Sequence, residues 1–382
     1  MEKQVAIVAC KQTKHASQSE LTRERMLYEL VQALLKDVGI TRDDIDTFIV
    51  SSNDFHDGRT ISNVFTLPRI GAYMKDETKV EMDGANACLY GVMRILSGQY
   101  ETALLIGHSL GGSEFRTQLV QWWMFDPVYE RQVGLMNELS ATALQANAYM
   151  MKYNIGEREL AEAAAKNLRN AAKNPNALQK KSDAAAEDVL GSRPLYSPLH
   201  QLHCYPPTDG ACAVLLSSEK KAKKLTDKPV WVRGVGQCVE SYYLGERELY
   251  RSESARLAAG RAYSMAGIKK PSKEIAVAEI TAPFAHQEWI IAEALDLFEE
   301  GSGAAVVRDG ASEIDGAMPV NPSGGALGAH PFNASGLIRI TEAVNQLRGE
   351  AGEMQVKEPK TAVVHGQDGI CAQSNTVIVL SI

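Results

Sequence analysis

The side chains able to do chemistry gather first around His330. It stands in the run 318–340, which packs Gly324, Gly325, Gly328, His330, Pro331, Ser335 and Gly336 into a short span before an amphipathic helix, Leu337–Leu347. Glycines at that density let the backbone turn sharply and approach a ligand closely. An imidazole in such a turn can take or give a proton near neutral pH. Cys88 is the second candidate. It follows a short stretch read as a strand, Val80–Met82, and opens a helix that runs to Leu96. The dipole and free N–H groups of a helix N-terminus favour a thiolate, the form in which sulfur is a nucleophile. A third pattern is Gly107-His108-Ser109-Leu110-Gly111, a Gly-x-Ser-x-Gly spacing after the apolar strand Thr102–Ile106. That spacing suits a serine nucleophile raised on a sharp strand-to-helix turn.

These residues need a large scaffold, and the chain supplies one. It has 382 residues, 45% hydrophobic and 23% charged, which fits an α/β protein with two fused units and a sizeable core. A net charge of −7 disfavours nucleic acid or an anionic membrane as the main partner. No apolar run reaches the length needed to span a bilayer. The six cysteines are scattered, without a Cys-x-x-Cys pair, which suggests reduced thiols and a cytoplasmic location. His200, His203 and Cys204 lack a matching second ligand pair, so no metal is expected.

Periodicity sets the elements in order. Val5–Ala9 reads as a strand, Gln18–Asp37 as a helix with Leu21, Met26, Leu30 and Leu34 on one face and Gly39 as its C-cap, and Ile45–Val50 as the next strand. The alternation predicts layered α/β structure with largely parallel strands. Residues 110–200 change character: two long helices at 137–154 and 157–173, an aromatic cluster including Trp123 and Met124, and no strands. They read as an insertion, and Trp123 and Met124 are candidate substrate walls. From about Pro229 the first pattern returns. Ala266-Gly267-Ile268 echoes Val38-Gly39-Ile40, Lys273–Ile280 echoes Asp43–Val50, and Asn375–Leu380 echoes Ala211–Ser217. The expected division is therefore 1–228, with the insertion at about 110–200, and 229–382, joined by the Lys-rich stretch Lys220–Lys228.

With these elements in place, the 318–340 run resembles the C-terminal active-site loop of thiolases, from which it departs by one spacing step and by Ala329 before the histidine. Thr208-Asp209-Gly210-Ala211-Cys212-Ala213 is similar to the string closing the N-terminal half of that superfamily. The insertion helices resemble those of its sterol-carrier-protein-type and archaeal branch, and the tail resembles members that work with a small zinc-ribbon/OB-fold subunit, such as benzoylsuccinyl-CoA thiolase. The resemblance covers nearly the whole chain. It implies a five-layered αβαβα fold and a homodimer with that partner. The implied function is cleavage of a 3-ketoacyl-CoA by CoA through a cysteinyl thioester, with coenzyme A as substrate and no permanent cofactor.

In that scheme Cys88 is the nucleophile and His330 takes the thiol proton. Gly328, Gly366 and Gly369 supply backbone donors to an oxyanion, and Trp123, Met124, Phe284 and Ser335 line the substrate and CoA site. The helix after Cys88 is seven residues shorter than the family pattern, and an alignment from the strand side sets Gly84 or Ala87 at the nucleophile position instead. The family's polar pair after Glu279 is replaced by Thr281-Ala282, and the second catalytic cysteine has no clean counterpart. Asp368, His365, Cys371 or His286 remains open as the second acid. These losses imply an aromatic or branched substrate. A non-catalytic scaffold subunit and a serine hydrolase built on Ser109 are the alternative classes.

Overall fold

In the computed structural model, which describes residues 4–113 and 117–382, the strands form one nine-stranded sheet and one hairpin. The strands are β1 (Val5–Gln12), β2 (Thr47–Ser51), β3 (Asp76–Val80), β4 (Thr102–Leu110), β5 (Pro194–Tyr196), β6 (Leu199–His200), β7 (Asp209–Ser218), β8 (Val230–Val239), β9 (Val277–Ile280), β10 (Thr361–Asp368) and β11 (Ser374–Ser381). The order of the large sheet is β3-β2-β4-β7-β1-β8-β11-β10-β9. Read outward from its middle, β1-β7-β4-β2-β3 is mirrored by β8-β11-β10-β9, and a parallel bridge from Ala278 to Val320 stands where a fifth strand would lie. The two runs meet where Val5, Ala6 and Ile7 pair with Val232, Trp231 and Val230.

The expected dominance of parallel pairing is corrected. Only β2–β3, β2–β4 and β9–β10 run parallel; β7 and β11 return antiparallel between their neighbours. Of the expected linker, Lys220–Lys228, residues 220–225 lie in a helix, Glu219–Leu225. The first helix begins at Arg23, after Thr22 caps it through Arg25 N, and leaves Leu21 outside; Gly39 ends it at φ 76°.

Layering follows from which faces are apolar. Helices Gly84–Ser97 and Ser335–Arg348 lie between the two runs of the sheet. Ala85, Ala87, Cys88, Val92 and Ile95 of the one meet Leu337, Ile338, Ile340, Val344 and Leu347 of the other, with residues of both runs around them. Outside, Met26, Leu27, Leu30, Val31 and Leu34 cover the first run, and Ala255, Ala258, Ala259, Ala262 and Tyr263 cover the second. The result is the five-layered αβαβα arrangement that the resemblance implies.

The segment between β4 and β7 contributes helices Glu138–Tyr153 and Glu157–Lys173 and the β5–β6 hairpin, which corrects the strand-free expectation. Its core is largely alanine, with Tyr149, Leu160 and Leu168, packed on Phe284, Trp289 and Ile290 of the second run. Lys166, fully buried, donates to Glu288 and to the Val320 carbonyl.

The second run tolerates no added bulk where helix Glu253–Ala266 crosses β8. A Cβ on Gly236 would lie 2.0 Å from the Ala258 carbonyl oxygen. Gly236→Ala should therefore destabilise the protein by about 1–3 kcal/mol, the usual cost of overpacking. Urea unfolding would read this directly, and an unchanged midpoint would contradict the packing described.

Candidate active site

The Gly-rich turn is built by left-handed backbone. Asn321, Gly324 and Gly325 have φ of 51°, 87° and 58°, and a Cβ on Gly324 would press to 2.5 Å from Ala171 of the insertion. Asn321 fixes the turn by accepting from Ile280 N and donating to Glu288, each at 2.8 Å. The chain then climbs to His330, whose backbone N–H donates to Thr208 Oγ1 at 3.2 Å. The His330 ring stands edge-on to Tyr205, with centroids 4.8 Å apart. Its Nδ1 is 2.6 Å from Ser335 Oγ. Burial lowers its pKa to about 3, so the ring is neutral at physiological pH. A hydroxyl donating to Nδ1 sets the tautomer that carries its proton on Nε2. His330 is then a hydrogen-bond donor toward the pocket it lines.

Across that pocket lies Asp83, the N-cap of helix Gly84–Ser97. Its carboxylate accepts from Ala85 N at 2.9 Å and from Gly336 N at 2.8 Å, and so joins the N-termini of the two central helices. Added Cβ atoms on Gly336 and Gly366 would lie 1.9 and 2.0 Å from Asp83 Oδ1. Those glycines make room for the carboxyl group. Two helix N-termini and their N–H groups favour the anion. Burial outweighs them and raises the Asp83 pKa to about 7, with the charge of Asp368 adding to the rise.

Asp368, at the end of β10, lines the same pocket and is raised by burial to about 6, while Gly369 N donates to it at 2.7 Å. Glu138, the first residue of its helix, is raised by burial to about 7 and accepts from Tyr205 OH at 3.1 Å. Gln367 is 9% exposed; its Nε2 donates to Thr281 O at 2.9 Å and to Gln287 Oε1 at 3.0 Å. Its Oε1 has no partner among the described residues. Phe55, Val120, Met124 and Phe332 form the apolar part of the wall.

The structure brings His330, Met124, Asp368 and Gly369 of the expected set into one pocket, with Ser335 directly behind the histidine. Cys88 is not among them. It lies a turn into its helix, wholly buried in the apolar layer between the sheet runs, and burial pushes its thiol up to about 12. Gly84 is the first helical residue, and a Cβ there would meet Leu337 at 2.6 Å. Neither it nor Ala87 offers a nucleophile, and Asp83 occupies the helix N-terminus. Cys371 is also buried, among Phe125, Leu244 and Ile370, and outside the pocket lining.

His365 is fully buried, 2.7 Å from Asn375 Oδ1, and does not reach the pocket; His286 is likewise buried against Gln145 and Thr142. Gly328 N donates to Gly324 O and Gly369 N is taken by Asp368, so neither amide is open to an oxyanion; Gly366 serves as the recess for Asp83. Phe284 is core beneath Tyr205, and Trp123 is exposed, edge-on to Phe55 at 5.7 Å. Ser109 lies within β4, buried and paired with Gly210, so the strand runs straight through the Gly-x-Ser-x-Gly spacing on which the alternative serine-hydrolase class rested. Asp83, Glu138 and Gln367, which also line the pocket, escaped sequence reasoning. Asp83 was one residue from the strand-side alignment, but a lone Asp-Gly signals a turn as readily as a site.

Comparison with known proteins agrees with this architecture. Residues 236–381 match the family description "Thiolase C-terminal domain-like". The chain is 30% identical over 378 residues to an acetyl-CoA acetyltransferase of Methanothermobacter thermautotrophicus, covering 96% of each chain. It is 32% identical over 237 residues to benzoylsuccinyl-CoA thiolase subunit BbsB of Thauera aromatica, covering 61% of each. Among solved structures, the Ltp2-ChsH2(DUF35) aldolase superposes with a TM-score of 0.84 at 22% identity, covering 99% of this chain and 97% of that one. Human mitochondrial 3-ketoacyl-CoA thiolase gives 0.74 at 16%, covering 99% and 98%. No helix among the described residues is long and apolar enough to cross a membrane. From fold, loop and relatives together, the chain belongs to the thiolase superfamily.

Proposed function

We propose that the protein binds an acyl-CoA thioester in the His330 pocket and makes or breaks the carbon–carbon bond beside the thioester. The carrying observation is the neutral His330, held by Ser335 with its remaining ring nitrogen toward a pocket that also contains buried carboxyl groups. A preset N–H donor in a water-poor site stabilises the negative charge that develops on a thioester oxygen as such a bond is cleaved. Coenzyme A is part of the substrate, with no permanent cofactor. The relatives named acetyl-CoA acetyltransferase and thiolase subunit support a thiolase-type function at this level.

The apolar wall of Phe55, Val120, Met124 and Phe332 suits an aromatic or branched acyl group. A hetero-partner, the small zinc-ribbon/OB-fold subunit that the family resemblance implies, completes the reading; likeness to BbsB and to the Ltp2-ChsH2(DUF35) aldolase supports such pairing. A homodimer is also part of the reading. β3 ends the sheet, and Ile61, Val64, Phe65 and Met74 are exposed in the segment before it.

Two variants test the function with a panel of linear, branched and aromatic 3-oxoacyl- and 3-hydroxyacyl-CoA esters, the protein being purified with any co-eluting subunit. His330→Ala should lower kcat by roughly 10²–10³, the usual cost of one oxyanion donor. Cys88→Ala should keep wild-type turnover, and native Cys88 should resist iodoacetamide. No binding or turnover of any ester would refute the proposed function, and a folded but inactive Cys88→Ala would restore the cysteine route.

A further inference from the structure

Four features of the pocket go beyond thioester binding. Among the described residues that line it there is no cysteine. The helix N-terminus aimed at it carries Asp83, in a recess that Gly336 and Gly366 keep open. A second carboxyl, Asp368, shares the cavity. Next to Asp368 stands Gln367, whose buried Oε1 is an acceptor without a donor. Its two Nε2 bonds fix which way the amide points.

A buried acceptor left unmatched costs stability, and a ligand donor brought to Gln367 Oε1 would relieve that cost. A 3-oxo group has no donor to give; a 3-hydroxyl group has one. The pocket thus has two ends. Gln367 and Asp368, adjacent at the end of β10, suit a hydroxyl group. His330 and Asp83, both tied to the start of helix Ser335–Arg348 through Ser335 and Gly336 N, suit the thioester and its α-carbon.

We infer that the substrate is a 3-hydroxyacyl-CoA and that the enzyme cleaves it by a non-covalent retro-aldol step, with Asp368 as base and Asp83 as acid. Asp368 takes the hydroxyl proton. The C3–O bond becomes a carbonyl, the C2–C3 bond breaks, and its electron pair moves into an enolate whose oxygen accepts from His330 Nε2–H. Asp83 then delivers its proton to C2. The products are an aldehyde or ketone and a shorter acyl-CoA, and one proton has passed from substrate to protein and another back. No free CoA is consumed. Two carboxyls lining one pocket, Asp368 ionised and Asp83 protonated, provide the base and the acid together. The inference rests on the proposed thioester-binding function and adds the substrate class and chemistry.

The test uses two probes, 3-hydroxy-3-phenylpropanoyl-CoA and 3-oxo-3-phenylpropanoyl-CoA, each with and without free CoA, with products read by chromatography and the protein by intact mass. The expected result is benzaldehyde and acetyl-CoA from the hydroxy ester, independent of free CoA, with the protein mass unchanged. Asp83→Asn and Asp368→Asn should each lower kcat by roughly 10²–10⁴, as loss of a general acid or base does, while still binding the ester. Gln367→Leu should erode the preference for the hydroxy over the oxo ester. The reactive form has Asp368 ionised and Asp83 protonated. Activity should then rise as pH passes about 6 and fall as it passes about 7. CoA-dependent cleavage of the oxo ester with an acyl adduct on a cysteine would overturn the inference and leave the proposed function standing. Wild-type rates in the two Asn variants would overturn the assigned roles. Failure of both esters to bind would remove the proposed function itself.

Discussion

The Asp83 carboxyl group is wedged where the two central helices begin, one from each half of the chain, and much of the structure exists to hold it there. Its two oxygens take one amide from each helix. Gly336 and Gly366 lack side chains at points where any Cβ would strike it. The same contact joins the halves: helix Gly84–Ser97 belongs to the first, helix Ser335–Arg348 and β10 to the second. Two opposed forces set its chemistry. Helix N-termini stabilise an anion by roughly 0.3–1 kcal/mol each at exposed sites, whereas removing a carboxylate from water costs several kcal/mol. Burial wins, and the group titrates near neutrality instead of in the ordinary acid range.

The opposite wall is fixed by buried polar networks reaching from the inserted helices into the Gly-rich turn. Lys166 joins Glu288 and the Val320 carbonyl, and Asn167 and Asn321 share the other Glu288 oxygen. Beside them, Arg339 and Ser323 both donate to Glu279. Removing one member of such a buried pair typically costs 3–5 kcal/mol, because the other charge is left without compensation. That rigidity gives the turn its left-handed backbone at Asn321, Gly324 and Gly325 and delivers His330 in one orientation. Glu279, where the expected family string departed at Thr281-Ala282, thus has a structural part in this chain.

Much of the scaffold was legible in the sequence because it rests on periodicity and end signals. Gly39 and Gly267 close the first helix of each half at positive φ, as their spacing suggested, and the inserted helices fall within one residue of their expected bounds. The place of His330 at the pocket was legible from the resemblance of the whole 318–340 string to the thiolase loop, since a lone histidine in a glycine-rich turn is as readily a structural residue. The antiparallel returns of β7 and β11 were not, since strand direction depends on the path of long connections. Cys88 stands away from the pocket for a physical reason. Cys88 has the right type and lies near a helix start, but one further turn of helix rotates it into the apolar layer between Val92 and the strands. A carboxyl at Asp83, announced only by a turn-like Asp-Gly pair, holds the helix start beside the pocket. Gln367 and Glu138 could not be found without tertiary structure, because what singles them out is burial and an unmatched atom.

The central claim is that Asp83 moves the proton at the carbon beside the thioester without any covalent bond between enzyme and acyl group. Reversal of the last step makes this measurable on acetyl-CoA alone. Incubating the protein, with any co-eluting subunit, and acetyl-CoA in deuterium oxide should place deuterium in the acetyl methyl group, followed by proton NMR, with the protein mass unchanged and the exchange lost in Asp83→Asn. An acetyl adduct on a cysteine, or exchange that proceeds at the wild-type rate in Asp83→Asn, would contradict it.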